Sequence, residues 1–322
     1  MNGWNGAPGR NRTYNLMVRS QENREHQAQR GFHPNLIHGW KIMFEQFIRE
    51  RQFLHNVTPL TIVWYENRLR WLPCESPTQA QLNDVVMRMR EKGLKATACN
   101  STIQAINAYL HWHSGNEGKC GAGCRHLRVR QLKTPQFIPS TFTEVQIKRI
   151  VNWKPKGKYQ RRLHLLVLFL ADTGCRISEA LTLRVREIDL DNLLVTLDGK
   201  GRKQRVVPFS FELRKALFRY CKEFNRTADK LLFANNTEME LIRCGVRLSV
   251  KLLCKRLGFD APARTLHAFR HSFAINYLRK GGSVFHLQKV LGHSTLEMTR
   301  RYSNLLTADL QAVHQRISLL AA

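Results

Sequence analysis

Apolar residues recur at helical spacing through most of this chain, and only one short segment departs from that spacing. Residues three or four apart fall on one face of an α-helix, so the pattern predicts helix after helix. Four predicted helices lie between residues 34 and 115. After residue 142 the pattern predicts helices over 142–151, 161–174, 177–185, 211–224, 241–257, 266–280, 284–291, 296–305 and 308–320.

The departing segment predicts two strands, one over Leu193–Leu197 and one over Arg205–Phe209. The residues between them, 198–203, include two glycines and favour a hairpin turn with Lys200 at its tip. The predicted fold class is therefore mainly α with a small β-sheet.

The composition divides the 322 residues into two domains and two irregular segments. Residues 1–33 are predicted to form a flexible basic arm, and residues 34–115 a small helical domain. Residues 116–142 are rich in glycine and basic residues and are predicted to be a linker, while residues 143–322 form the second domain. The linker's basic side chains suit either a strap along a phosphate backbone or a solvated connection, and the sequence does not decide between them.

Positive charge is the chain's strongest compositional feature. Lysine and arginine total 52 against 24 acidic residues, a net charge of +28, of which residues 1–150 carry +11 and residues 151–322 carry +17. An excess spread over both halves favours a nucleic-acid partner over a merely soluble basic protein. The sequence has no run of eighteen apolar residues and no apolar leader, so we expect no membrane insertion and a cytoplasmic location.

Eight cysteines occur, most of them singly within helical patterns, which favours reduced thiols. Cys120, Cys124 and His126 could hold zinc together with His113, but their spacing is loose, and a basic loop is the favoured interpretation. We predict no metal and no cofactor.

The second half carries the residue types that transfer a phosphoryl group without a metal. Such a site needs fixed cations, a nucleophile and a proton donor for the leaving oxygen. Arg176 follows a helix-ending glycine, Lys200 lies at the hairpin tip, and His267 and Arg270 share a helix face. His293 follows Gly292, and Tyr302 lies on the next predicted helix.

Four strings in this order resemble the tyrosine recombinase (phage integrase) family: TGCRISEALTLRVREID, GKGRKQRVVP, LHAFRHSFAINYLRKG and LQKVLGHSTLEMTRRYSNL. The resemblance is strong over about residues 140–310 and weaker over 34–115, which is similar to the family's core-binding (SAM-like) domain. It implies a C-shaped clamp of two domains around double-stranded DNA, the second being a mixed α/β catalytic domain.

The resemblance also assigns roles to six positions. It implies that Arg176 and Arg270 clamp the scissile phosphate and that Tyr302 attacks it to form a 3′-phosphotyrosine. Lys200 would protonate the leaving oxygen, His267 would assist proton transfer at the nucleophile, and His293 would donate a hydrogen bond to the phosphate. Glu179 and His271 also match the pattern and would support these groups.

The family resemblance leaves the biological outcome open. The favoured interpretation is the integrase or excisionase of a mobile element, acting as a homotetramer on paired DNA sites. The C-terminal helix over 307–320 either packs on its own domain or is donated to a neighbouring protomer. The alternatives are a Xer-like dimer resolvase and, from another class, a DNA-binding regulator without catalysis.

Overall fold

A computed structural model describes residues 44–115, 127–135, 140–199 and 204–303. The chain divides into two compact units, residues 1–136 and 137–322. Several predictions lie outside the described residues: the basic arm over 1–33, Cys120 and Cys124 of the linker, Lys200, and the C-terminal helix over 307–320.

The first unit contains four described helices, as the spacing predicts: α1 (Glu45–Phe53), α2 (Pro59–Leu69), α3 (Gln79–Glu91) and α4 (Ala96–His113). Thr58 caps α2 through its side chain, and Pro59 occupies the first turn, where no backbone donor is needed. Thr78 and Gln81 form a capping box at the start of α3. Local sequence signals thus set these helix starts.

Aromatic side chains fill the core of the first unit. The rings of Phe44 and Phe47 meet the ring of Tyr109 edge to face, with centroids 4.8 and 5.5 Å apart. Phe47 also meets Tyr65 at 5.1 Å in the same geometry. Edge-to-face pairs contribute about 0.5–1.5 kcal/mol each beyond area burial, so this cluster fixes how α1, α2 and α4 pack.

A segment of the predicted linker is attached to α4. The Asn107 side-chain amide bonds both the N–H and the C=O of Val129 at 2.9 Å, and Asn100 does the same for Leu132 at 2.8 Å. Val129 is buried, whereas Arg128 and Arg130 face solvent. This part of the linker is therefore held on the helical unit with its basic side chains outward. His113, which the sequence analysis considered as a possible zinc ligand, is instead hydrogen-bonded through Nε2 to Oγ of Ser76 at 2.9 Å.

The second unit has the mainly helical composition that the sequence predicts, with one small sheet. Its elements are α5 (Glu144–Val151), α6 (Gly157–Thr173), α7 (Ile177–Thr182), β1 (Ile188–Asp189), β2 (Leu194–Asp198), β3 (Gln204–Pro208), α8 (Phe211–Glu223), α9 (Arg243–Arg256), α10 (Thr265–Arg279), α11 (Val284–Leu291) and α12 (Leu296–Ser303). The strands pair antiparallel in the order β1-β2-β3, with Val195 opposite Val207.

The helix predicted over residues 177–185 is wrong beyond Thr182. Leu183 is extended and accepts a hydrogen bond from the Leu232 N–H at 2.8 Å, and Arg184 bridges Leu231. A short 3-10 turn, Val185–Glu187, then leads into β1. Pairing with a segment far along the chain overrides the helical spacing here, and the two-residue β1 is too short to show alternation.

Helix α6 lies at the centre of the second unit's core and packs against α5, α7, α8, α9 and α10. Leu165, Leu166, Phe169 and Leu170 on α6 are all buried. Each such side chain contributes about 1.5–3 kcal/mol when removed from water. This packing fixes the end of α6, and the chain reverses there.

None of the described helices is long and apolar enough to cross a bilayer.

Candidate active site

Gly174 ends α6 and directs the chain toward the predicted site. Its φ of 61° is left-handed, and a Cβ there would lie 2.4 Å from Cδ1 of Phe273. Only glycine meets both conditions without strain. Arg176 follows two residues later at the start of α7, as the sequence predicts.

Glu179, one turn into α7, holds Arg176. Its carboxylate accepts hydrogen bonds from the Arg176 backbone N–H at 2.7 Å and from Nη1 of the Arg176 guanidinium at 2.8 Å. Burial alone would raise the pKa of Glu179, but hydrogen bonds from Arg205 and Arg176 outweigh it and hold the pKa below its ordinary value. Glu179 is therefore an ionised support for Arg176.

Arg205 is a site residue that the sequence analysis missed. Its Nη1 and Nη2 donate to the two oxygens of Glu179 at 2.9 and 2.8 Å, and its Nε donates to the Val290 carbonyl at 2.8 Å. It alternates on β3 with the exposed Gln204 and Val206 and shares its face with the buried Val207. The sequence signal that could have identified Arg205 is an arginine at a strand position that faces the protein interior.

Arg270 is buried on α10 with its guanidinium anchored by backbone oxygens. Nη1 donates to the Gly174 carbonyl at 3.1 Å and Nη2 to the Leu291 carbonyl at 2.6 Å. Burial, and next the charge of Arg176, lowers the pKa of Arg270 to about 10, so the guanidinium stays protonated at neutral pH. These two contacts fix the position of the guanidinium.

The C-terminal end of α11 gathers the three arginines. Successive carbonyls of Val290, Leu291 and Gly292 accept from Arg205 at 2.8 Å, Arg270 at 2.6 Å and Arg176 at 3.4 Å. The final carbonyls of a helix have no partner within the helix and carry partial negative charge. They therefore suit cations, and the arrangement brings Arg176 and Arg270 to one place.

His293 follows this helix end directly and lies beside the predicted nucleophile. Its Nδ1 is 2.9 Å from Oγ1 of the buried Thr299, and its ring stacks on the Tyr302 ring with centroids 6.3 Å apart. Burial, then Arg270 and Arg176, lowers the pKa of His293 to about 4. The ring is therefore neutral at pH 7.

Tyr302, on α12, is 4% exposed, and its hydroxyl lies 2.8 Å from Nδ1 of His271. Burial, and then electrostatic interaction with neighbouring groups that include His267 and Arg270, lowers the pKa of His271 to about 4. A neutral imidazole nitrogen can accept the phenol's proton in this contact. The sequence had given His271 only a supporting role.

His267 lies one turn before His271 on α10, with ring centroids 6.5 Å apart. Its Nε2 is 3.2 Å from Nη2 of Arg243, the first residue of α9. A guanidinium only donates, so Nε2 accepts, and the ring proton of neutral His267 lies on Nδ1. Burial, followed by Arg243, lowers the pKa of His267.

Lys200 lies outside the described residues, so only the strands that flank it can be located. Asp198 and Gln204 are register partners at the ends of β2 and β3. Arg205 therefore lies one residue along β3 from the segment of the chain that contains Lys200. Of the six predicted catalytic residues, the described structure groups Arg176, Arg270, His293 and Tyr302, with His267 beside His271 on α10.

Comparison with known proteins identifies the family to which this chain belongs. A profile of the phage integrase family matches residues 140–308. The tyrosine recombinase XerA of Pyrococcus furiosus is 30% identical over 248 residues, covering 76% of this chain and 82% of that protein. The tyrosine recombinase XerC of Xanthomonas axonopodis pv. citri is 29% identical over 226 residues, covering 70% of this chain and 73% of that protein.

Two solved structures share the fold. A Tn1549 transposon integrase in complex with transposon right end DNA has a TM-score of 0.68 and 20% identity, covering 87% of this chain and 99% of that one. The XerH site-specific recombinase bound to palindromic difH substrate has a TM-score of 0.64 and 19% identity, covering 86% of this chain and 83% of that one. The chain therefore belongs to the phage integrase family, whose members are tyrosine recombinases, enzymes that transfer DNA strands.

Proposed function

We propose that this tyrosine recombinase cuts and rejoins double-stranded DNA through a 3′-phosphotyrosine on Tyr302. The observation that carries the proposal is the grouping of two fixed guanidinium groups, Arg176 and Arg270, with the buried phenol at the end of α11. A planar guanidinium stays charged and can bind two phosphate oxygens at once. The two arginines would hold the non-bridging oxygens while the phenol attacks.

In the proposed step the phenol oxygen bonds to phosphorus and the bond from phosphorus to the 5′ oxygen breaks. The phenolic proton passes to the neutral His271, whose Nδ1 lies 2.8 Å from the Tyr302 hydroxyl. His267, which lies one turn before His271 on α10, assists this proton transfer. Lys200 gives its proton to the leaving 5′ oxygen, and His293 donates a hydrogen bond to the phosphoryl oxygens. Attack by a 5′ hydroxyl of another strand reverses these steps, so rejoining consumes no external energy source.

A covalent-trapping experiment tests the reaction. DNA sites are first selected from a random-sequence library by binding to the Tyr302→Phe protein. Each selected site is then nicked next to the expected cleavage point, so that cleavage releases a short fragment and traps the enzyme on DNA. The unaltered protein should form an adduct stable in denaturant, and Tyr302→Phe should bind equally well and form none. Adducts with Tyr302→Phe would exclude Tyr302 as the nucleophile, and their absence from both proteins would favour a regulator without catalysis.

We assign the enzyme to a mobile element, as its integrase or excisionase. The fold shared with a transposon integrase supports this assignment, whereas the names of the XerA and XerC relatives favour a dimer resolvase. Plasmids carrying two selected sites distinguish the two. A mobile-element enzyme should also join sites that lie on separate molecules, whereas a dimer resolvase should act on direct repeats within one molecule and join separate molecules far less.

We further propose a homotetramer on paired sites, in which residues 307–320 of one protomer dock on the next. Leu310, Val313, Ile317 and Leu320 form an apolar stripe at helical spacing in the sequence. Deleting residues 307–322 should then lower recombination more than binding to a single site. Equal losses of both would indicate that the segment serves its own protomer.

A further inference from the structure

Arg205 is a largely buried cation for which the proposed reaction has no use. Its side chain is 10% exposed, and each of its donor nitrogens has a partner. Both oxygens of Glu179 accept from it, in the forked geometry that is the strongest arrangement available to this pair. A group so fully engaged cannot turn toward a phosphate without breaking its own contacts, so its role must be exerted through Glu179 or through α11.

The charges of the cluster show what Arg205 does through Glu179. Glu179 touches both Arg176 and Arg205, so one carboxylate is shared by two guanidinium groups. With Arg270, the four groups carry a net charge of +2. Without Arg205, the carboxylate would be matched to Arg176 alone, and the net charge would fall to +1. A phosphate would then contact the Arg176 guanidinium while Glu179 neutralises its charge.

The position of Arg205 also connects three elements. It lies on β3, its fork holds the start of α7, and its Nε holds the end of α11. Gly292, at a φ of 63°, leaves room for it, since a Cβ there would lie 2.8 Å from Cδ of Arg205. Arg205 thereby ties β3 to α7, the helix that directly follows Arg176.

We propose that Arg205 is a positioning residue for DNA cleavage. By sharing Glu179 it leaves the positive charge of Arg176 available to the phosphate, and it holds β3 against α7 and α11. This inference rests on the proposed function, because it concerns the rate of the phosphotyrosine-forming step. Arg205 itself touches no reacting atom in the proposal.

The experiment compares Arg205→Met with Arg226→Met in the whole 322-residue chain. Arg226 is a matched control, because it is also a buried arginine of the second unit and forms an ion pair with Glu238. The rate of adduct formation is measured at saturating nicked DNA, below the melting temperature of every variant, and site binding is measured separately. The double variant Arg205→Met with Glu179→Gln restores the net charge of +2 without restoring the contacts.

We expect Arg205→Met to slow adduct formation about ten- to a hundredfold, with binding changed much less, and Arg226→Met to leave the rate near that of the unaltered protein. Adding Glu179→Gln should recover part of the lost rate, a result that a purely structural role does not produce. Equal rates for the two methionine variants, or a double variant no faster than Arg205→Met, would overturn the inference. These outcomes require an adduct with the unaltered protein, so failure of the proposed function is recognised separately by its absence there.

Discussion

The hydroxyl of Tyr302 lies 2.8 Å from Nδ1 of His271, within a site where the phenol is 4% exposed. A phenol loses its proton only near pH 10 in water, so a nearby neutral base is the simplest means of activating it at pH 7. The structure thus places the proposed nucleophile against a proton acceptor.

Replacing His271 with alanine should slow adduct formation about 10²- to 10⁴-fold, because the phenol loses its proton acceptor. DNA binding should change little, since His271 faces Tyr302 and is not expected to contact DNA. The measurement is single-turnover cleavage of nicked DNA. His286→Ala, at an exposed position on α11, is the control and should cleave normally. Normal cleavage by His271→Ala would transfer the role of base to His267.

Gly174→Ala should destabilise the second unit more than Gly281→Ala does. Both glycines have left-handed φ values, 61° and 84°, so each substitution costs about 1–2 kcal/mol in backbone strain. Only at Gly174 would the new Cβ also collide with Phe273, 2.4 Å away, whereas nothing lies within 4 Å of a Cβ at Gly281. Urea denaturation of both variants checks the order, and equal losses would show that Phe273 moves aside freely.

Stability should fall as the pH drops below about 6.5, because His271 and His293 have folded-state pKa values of about 4 against an ordinary 6.5. The unfolded chain binds protons on these rings first, so their contribution is complete above the ordinary pKa and is lost as the pH falls toward 4. Urea midpoints at several pH values measure the slope. Glutamine at both positions should reduce this slope, and an unchanged slope would contradict the prediction.

Asn107→Ala should destabilise the helical unit by about 1–3 kcal/mol, because it removes both hydrogen bonds to Val129 and leaves buried backbone groups unpaired. The control is Asn83→Ala, at an exposed position on α3 where the side chain bonds only Gln79. Hydrogen exchange at the Val129 amide gives a direct readout. Unchanged protection there would show that Leu132 and Asn100 hold the segment alone.

Local sequence signals predicted most of the helices because the causes are local. Thr58, Thr78 and Thr143 each cap a helix through their own side chains, and the spacing of apolar residues along the chain predicted where the helices lie. The order of motifs in the second half, through the family resemblance, also identified the residues that the described structure gathers at the end of α11. Arg176 and Arg270 are 94 positions apart, and their convergence follows from the shared fold.

The features that escaped prediction depend on contacts between distant segments. Arg205 meets Glu179 across 26 residues and Val290 across 85, and no local spacing encodes either contact. Leu183 leaves the helical conformation because its carbonyl accepts a hydrogen bond from the Leu232 N–H. The residues near Leu183 in the sequence do not indicate this contact. The partner of the phenol, His271 rather than His267, depends on how α12 packs on α10.

Because the last two residues of α11 and the Gly292 that follows them each hold one arginine, a small rotation or withdrawal of this helix would disturb all three guanidinium groups together. His293 comes next in the chain and would follow the same movement. A neighbouring subunit or an accessory protein that displaces α11 could therefore activate or inactivate the enzyme without contacting the DNA or Tyr302.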